Sequence, residues 1–257
     1  SLTVGLVLAW DVQGKRLNAS QELIAQPYIR LLGNVPAVHG FLGSGSNKRG
    51  LFTDAVDSLR ATIRGSSFET PPKSIMISSA VGQEGKSTLA SQLAVSFAQC
   101  GQKTLLIDAD LRNPQQHGGF GLSNETGLCE IMRGEVKIDS ALQPTSVESL
   151  SLLSAGKLDQ TAAQALGRNV LKTILSELDD QFDVIILDSG PVLTHADTLL
   201  IGQLADMTVL STRRDVSRLP KIMAAVERLQ SVGIPIAGAV LHGEATDSRK
   251  HRVPLFA

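Results

Sequence analysis

The sequence predicts an α/β fold in which helices cover both faces of a mostly parallel sheet. Three observations carry that prediction. Short apolar runs recur from Lys73 onward, at Ser74–Ser79, Lys103–Ile107, Leu150–Leu153, Phe182–Leu187, Met207–Ser211 and Ile236–Leu241. Stretches of helical periodicity fall between them, at Thr88–Gln99, Asn169–Leu178 and Lys221–Val232. The first run also passes directly into a glycine-containing turn and then a helix. Strands that are apolar throughout, rather than alternating, belong to a sheet buried on both faces, and strand–helix alternation makes its strands parallel.

The composition agrees. The chain has 257 residues, 42% hydrophobic and 19% charged, which suits a globular fold with a large core and argues against disorder. Lys plus Arg is 24 against 25 Asp plus Glu, so no overall positive field points to a nucleic-acid partner. Cys100 and Cys129 stand in no metal-ligand spacing and read as two buried free thiols.

Upstream of Lys73 the signals are weaker. Ser1–Trp10 is almost wholly apolar but too short to cross a bilayer, which takes about 20 residues. It reads either as a short buried element or as the cytoplasmic end of a transmembrane helix. Trp10 and the nearby Lys15 and Arg16 suit a membrane interface. Asn18 to Leu23 is expected to open a short helix capped by Asn18 or Ser20. Gly40–Gly50, with four glycines and two serines, reads as a linker. Leu51–Ile63 places Leu51, Ala55, Val56, Leu59 and Ile63 on one helical face. Pro71 and Pro72 close this region. The end, Glu244–Ala257, reads as a loose polar and basic tail.

The chemistry concentrates in three places. Ala80-Val-Gly-Gln-Glu-Gly-Lys-Ser-Thr88 follows one strand and opens the next helix, the context of a phosphate-binding loop (P-loop). Gly82 and Gly85 permit close backbone approach, and consecutive N–H groups from Gly82 through Gln83, Glu84 and Gly85 to Thr88 surround an anion. Lys86 supplies a point charge for the β- and γ-phosphates, and the Ser87 hydroxyl suits Mg²⁺. The next strand ends in Asp108-Ala-Asp110-Leu-Arg112, two carboxylates and a guanidinium where open α/β sheets bind ligands. A third run, Val184–Leu187, ends in Asp188-Ser-Gly-Pro, the pattern of a Walker B carboxylate. The motifs therefore predict a P-loop NTPase that uses ATP and Mg²⁺.

Together these elements resemble the bacterial tyrosine kinases, cytoplasmic ATPase partners of polysaccharide co-polymerases. GQEGKST, DADLR and DSGP stand where that family has PGEGKST, D-x-D-x-R and D-x-P-P. Gly119–Leu122, Gly127-Leu128, Leu152–Gly156, Ala196-Asp197 and Ala205-Asp206 also look like the family, from about Leu51 to Gly243. The resemblance implies a protein-tyrosine kinase on the cytoplasmic face of the bacterial inner membrane, linked to exopolysaccharide synthesis and export. It implies a tyrosine-bearing protein substrate, a membrane co-polymerase partner and self-association. Lys86, Asp108, Asp110 and Arg112 would be catalytic, with Asp108 activating the tyrosine hydroxyl. Ser87, Asp108 and Asp188 would serve the metal. The implied division is a membrane-proximal segment and linker over 1–50, a P-loop kinase domain over 51–243, and the tail over 244–257.

The sequence departs from that family at four points. Asp54, Asp57 and Arg60 stand where the self-association helix reads E-x-x-R-x-x-R. Tyr28 is the single tyrosine, and Glu244–Ala257 has none. Gly190-Pro191 replaces Pro-Pro. His242 stands where relatives have an Asn near the adenine, and is taken here as a nucleotide contact. The second and first departures favour an alternative, a non-kinase ATP-binding switch that regulates a membrane co-polymerase. The related partition and septum-site ATPases carry an early P-loop lysine, and Val81 stands in its place.

Overall fold

The computed structural model describes residues 16–36, 46–65, 71–167 and 170–243. The apolar segment 1–15, residues 37–45 and the tail 244–257 lie outside them. Eight strands form one sheet in the order β1-β8-β7-β2-β6-β3-β5-β4. They are β1 (Leu31–Val35), β2 (Ser74–Ser79), β3 (Thr104–Ala109), β4 (Leu142–Pro144), β5 (Leu150–Leu153), β6 (Val184–Ser189), β7 (Met207–Arg213) and β8 (Ile236–His242). All pairings are parallel except that of β4 with β5.

The unbroken apolar runs have a direct cause. Successive side chains alternate between two cores, one on each face of the sheet. Ile75 and Ile77 of β2, Leu106 of β3 and Ile186 of β6 enter one core. Met76, Leu105, Ile107, Ile185 and Leu187 enter the other. Helix α3 (Lys86–Gln99) covers the first face through Leu89, Leu93 and Phe97, all fully buried. Helices α8 (Val170–Asp179) and α10 (Leu219–Ser231) cover the second with Leu171, Ile174, Leu178, Val226 and Leu229.

The remaining short helices sit in connections: α1 (Ser20–Ile24), α4 (Gln116–Phe120), α5 (Leu128–Met132), α6 (Ile138–Ala141), α7 (Gln160–Gly167) and α9 (Asp197–Gly202). Neither Asn18 nor Ser20 caps α1. Ala19 holds the N-cap position without a side-chain bond, and the Asn18 backbone N–H donates instead to Glu22 Oε1 at 3.3 Å.

The expected boundary at residue 50 is corrected. Helix α2 runs from Ser46 to Arg64, so the end of the expected linker is helical. Its Phe52, Val56, Leu59 and Ile63 are buried with α3 and β1. Residues 31–35, expected in a membrane-proximal segment, are a strand hydrogen-bonded to β8. Gly33 and Asn34 within Leu-Leu-Gly-Asn-Val mask it, since both residue types are poor in strands. The other missed strand, β4, is three residues long and ends in Pro144 at the sheet's edge, where a proline is tolerated. Cys129 is buried and free as expected. Cys100 is free but exposed, because it lies just past the end of α3. Among the described residues no helix is long and apolar enough to cross a membrane.

The β1–β8 pairing depends on Gly238. Its φ is +152°, and a Cβ there would stand 2.2 Å from the Arg30 carbonyl oxygen. Gly238→Ala is therefore expected to lower stability by about 2 kcal/mol or more, through strain and displacement of β1. A urea midpoint equal to wild type would show that β1 does not contribute to the cooperative fold.

Candidate nucleotide site

The register of the sheet creates the site. β3 and β6 are neighbours, and Asp108 pairs with Asp188 across them. Two carboxylates thus stand side by side on adjacent parallel strands, both wholly buried. Parallel strands all present their C-terminal ends to one edge, which is why the P-loop after β2 meets both.

The loop is held from behind. Glu84 was expected to offer its backbone N–H to the ligand, and its side chain is fully buried on the protein side. Glu84 Oε2 accepts from the Val81 N–H at 2.9 Å, and Oε1 accepts from the Ser217 hydroxyl. Ser211 Oγ donates to the Glu84 carbonyl at 2.7 Å. Burial, the larger effect, raises the Glu84 pKa above the usual carboxylate range, and these hydrogen bonds oppose the rise. Gly85 caps α3 in the left-handed region at φ +85°, a conformation that suits glycine. Gln83 shares that region at φ +67° without being a glycine. Gly82 has open space where a Cβ would stand, so no protein neighbour requires a glycine there.

Lys86 begins α3. Its ammonium lies 2.6 Å from Asp110 Oδ2, 4.0 Å from Asp188 Oδ1 and 3.2 Å from the Ser87 hydroxyl. Burial would depress its pKa, but the Asp188 and Asp110 charges outweigh that and hold it above the usual value. Asp108 Oδ2 accepts from the backbone N–H groups of Gln115 and Gln116, each at 2.9 Å. Asp188 Oδ2 accepts from Gln116 Nε2 at 2.6 Å. The other oxygens, Asp108 Oδ1 and Asp188 Oδ1, are buried with no hydrogen-bond donor. Burial, then the Asp188 charge, pushes the Asp108 carboxyl up to about 8. Asp188 is also raised by burial, with Lys86 opposing.

A cavity of about 690 Å³ opens above these groups. Gly82, Gln83, Gly85, Lys86, Ser87, Thr88 and Asp110, all from the sequence motifs, line it. Five expected site residues do not: Glu84, Asp108 and Asp188 are wholly buried beneath it, and Arg112 and His242 lie elsewhere. Arg112 is turned away and pairs with Asp197 at 2.9 Å. His242 lies behind the loop, its ring packed on Gly85. Burial, then the Arg213 charge, lowers its pKa to about 4, so it is neutral at physiological pH. The cavity also takes in Asn113, Gln115, Thr194, His195 and Arg213, which the motifs did not reveal. His195 Nδ1 stands 3.8 Å from Asp110 Oδ1. No sequence spacing marks these residues, because the loops after β3 and β6 and the end of β7 bring them together.

The residues fit a hydrated Mg²⁺. Bare buried carboxylate oxygens beside a P-loop serine are what its waters would satisfy. No group of three or more His, Cys, Asp or Glu among the described residues is spaced to cage a metal directly.

The sheet order, the loop and the strand-end carboxylates define a P-loop nucleotide-binding protein, and residues 72–227 match the AAA domain family. The chain is 34% identical over 196 residues to tyrosine-protein kinase YwqD of Bacillus subtilis, covering 76% of this chain and 83% of that one. It is 30% identical over 190 residues to tyrosine-protein kinase etk of Escherichia coli, covering 74% of this chain but only 26% of that longer protein. The solved kinase domain of Escherichia coli ETK superposes with a TM-score of 0.82 at 26% identity, over 90% of this chain and 96% of that domain. The septum-site-determining protein MinD of Pyrococcus horikoshii, solved with Mg-ADP, shares the fold at a TM-score of 0.57 and 25% identity, over 66% of this chain and 69% of that one. The chain belongs to the bacterial tyrosine-protein kinases.

The raised Asp108 pKa has a consequence for stability. A carboxyl whose folded pKa exceeds its unfolded value weakens the fold as pH climbs from the unfolded pKa, near 4, to the folded one. In chelator, Asp108→Asn is therefore expected to melt a few degrees above wild type at pH 8. The gap should shrink towards pH 4. Equal melting temperatures at pH 8 would show that the paired carboxylates carry no net repulsion.

Proposed function

We propose that the chain binds ATP with Mg²⁺ and transfers the γ-phosphate to a tyrosine hydroxyl on a protein substrate. The observation that carries this is the in-register pair Asp108 and Asp188, buried beside Lys86 and Ser87, which line a cavity of about 690 Å³. The loop N–H groups and Lys86 bind the phosphates, so Lys86 exchanges its contact with Asp110 for one with the ligand. Ser87, with Asp108 and Asp188 through water, would hold Mg²⁺, which supplies charge neutralisation at the phosphates.

Asp108 takes the phenolic proton as the tyrosine oxygen bonds to the γ-phosphorus. The bond from that phosphorus to the β–γ bridging oxygen breaks, and ADP leaves. With its pKa raised to about 8, Asp108 is largely protonated at neutral pH by itself, and would be ionised by the charge of Mg²⁺ so that it can accept this proton. Asp110 positions Lys86. Arg112 acts from outside the cavity by tying the β3 loop to Asp197.

The cellular setting is part of the same proposal. It is the cytoplasmic face of the inner membrane, with a polysaccharide co-polymerase as partner. Similarity to the exopolysaccharide-linked kinases supports it, as does a Klebsiella pneumoniae relative named for the cps region, 31% identical over 233 residues. That match covers 91% of this chain and 30% of the relative. Self-association through α2 draws less support. Asp57 accepts from Ser96 Oγ, and Arg60 Nε donates to the same oxygen at 3.0 Å, so both side chains are engaged within the chain.

Tyr28 is the chain's one tyrosine and is 68% exposed. It precedes β1, at the edge of the parallel sheet opposite the P-loop. Its own cavity is therefore out of reach, and phosphorylation there requires a second copy.

Transfer from γ-labelled ATP tests the proposal. With a tyrosine peptide as acceptor, Lys86→Ala and Asp108→Asn are each expected to lose at least about 100-fold in phosphotyrosine formation. Phosphate release with no phosphotyrosine on any acceptor would replace the kinase with the ATP-hydrolysing switch. Any label on the protein itself should vanish in Tyr28→Phe, and its initial rate should rise with the square of protein concentration. A rate per molecule independent of concentration would refute transfer between copies.

A further inference from the structure

Gln116 is fully buried although its side chain is polar. Its amide nitrogen donates to the Ser87 carbonyl at 3.0 Å and to Asp188 Oδ2 at 2.6 Å. Both neighbours can only accept, which fixes the nitrogen end of the amide. Its backbone N–H donates to Asp108 Oδ2 at 2.9 Å. One residue thus touches the P-loop helix, the β3 carboxylate and the β6 carboxylate.

The contacts leave a pattern. Each carboxylate has one oxygen engaged by Gln116 and one without a hydrogen-bond donor, the Asp188 one facing the Lys86 ammonium at 4.0 Å. The amide oxygen, Gln116 Oε1, is itself buried without a donor. Three buried acceptors therefore lack donors around a single residue. Each such atom carries a desolvation cost of about 1–3 kcal/mol until a donor arrives. A glutamine that served packing alone would have both ends satisfied or would be an apolar residue. A divalent cation with its water shell brings positive charge and several O–H donors at once.

We propose that Gln116 is a positioning residue of a hydrated Mg²⁺ site. It fixes one oxygen of Asp108 and one of Asp188, keeps the other two bare for cation-bound water, and adds its own amide oxygen as a third acceptor. The inference rests on the nucleotide–Mg²⁺ reading above. It adds a residue outside all three sequence motifs.

The test is binding of a fluorescent N-methylanthraniloyl ATP to the nucleotide-free chain, in chelator and across a Mg²⁺ titration. In Gln116→Met, of similar length but without the amide, half-saturating Mg²⁺ is expected to rise about 10-fold or more. Binding in chelator should stay within about two-fold of wild type, since the loop N–H groups and Lys86 are untouched. Gln116→Asn, one carbon shorter, should shift in the same direction. It decides the matter by the same criterion if the Met variant does not fold. An unchanged Mg²⁺ midpoint overturns the proposal. So does an equal loss of binding with and without Mg²⁺, which marks a structural role only. Wild-type binding that ignores Mg²⁺ also overturns it while leaving the P-loop intact, whereas wild type that binds no nucleotide refutes the underlying reading itself.

Discussion

The site depends on one constraint, the pairing of Asp108 with Asp188 across β3 and β6. Two like charges buried on neighbouring strands repel, and burial penalises both. The fold accommodates them with Lys86, with two backbone N–H groups on Asp108 and with the Gln116 amide on Asp188. The compensation is incomplete, and burial leaves the pKa of both carboxyls raised. Repulsion of this kind would be relieved by positive charge, which supports the proposed Mg²⁺–phosphate site.

That pairing dictates what surrounds it. Strands β2, β6 and β3 must be adjacent and parallel for the P-loop to reach both carboxylates, and the two cores hold them so by burying both faces. The loop must keep its shape while its N–H groups remain free for phosphate. Glu84 meets that need from beneath, tying Val81 to Ser217 and leaving the cavity side uncommitted. The side chain of a loop residue is thus the loop's internal brace.

The edge strand β1 illustrates how flanking sequence is recruited. It extends the sheet beyond β8 and brings α2 against α3. Asp57 and Arg60 then meet Ser96 within the chain. The same strand leaves Tyr28 just before its N-terminal end, whereas the P-loop follows the C-terminal end of β2.

The sequence by itself determined the α/β class, six of the eight strands and the P-loop from Gly82 to Thr88. It did so because these features are local: apolar periodicity, a glycine turn and a lysine–serine helix start. Asp108 and Asp188 were legible for the same reason, since each ends an apolar run. Only the tertiary structure decided that they stand in register, that Gln116 joins them and that His195 and Arg213 wall the cavity. It alone turned Glu84 inward, Arg112 towards Asp197 and His242 behind Gly85. Register and loop convergence arise from contacts between distant segments, and no single stretch of sequence encodes which neighbour its side chains will meet.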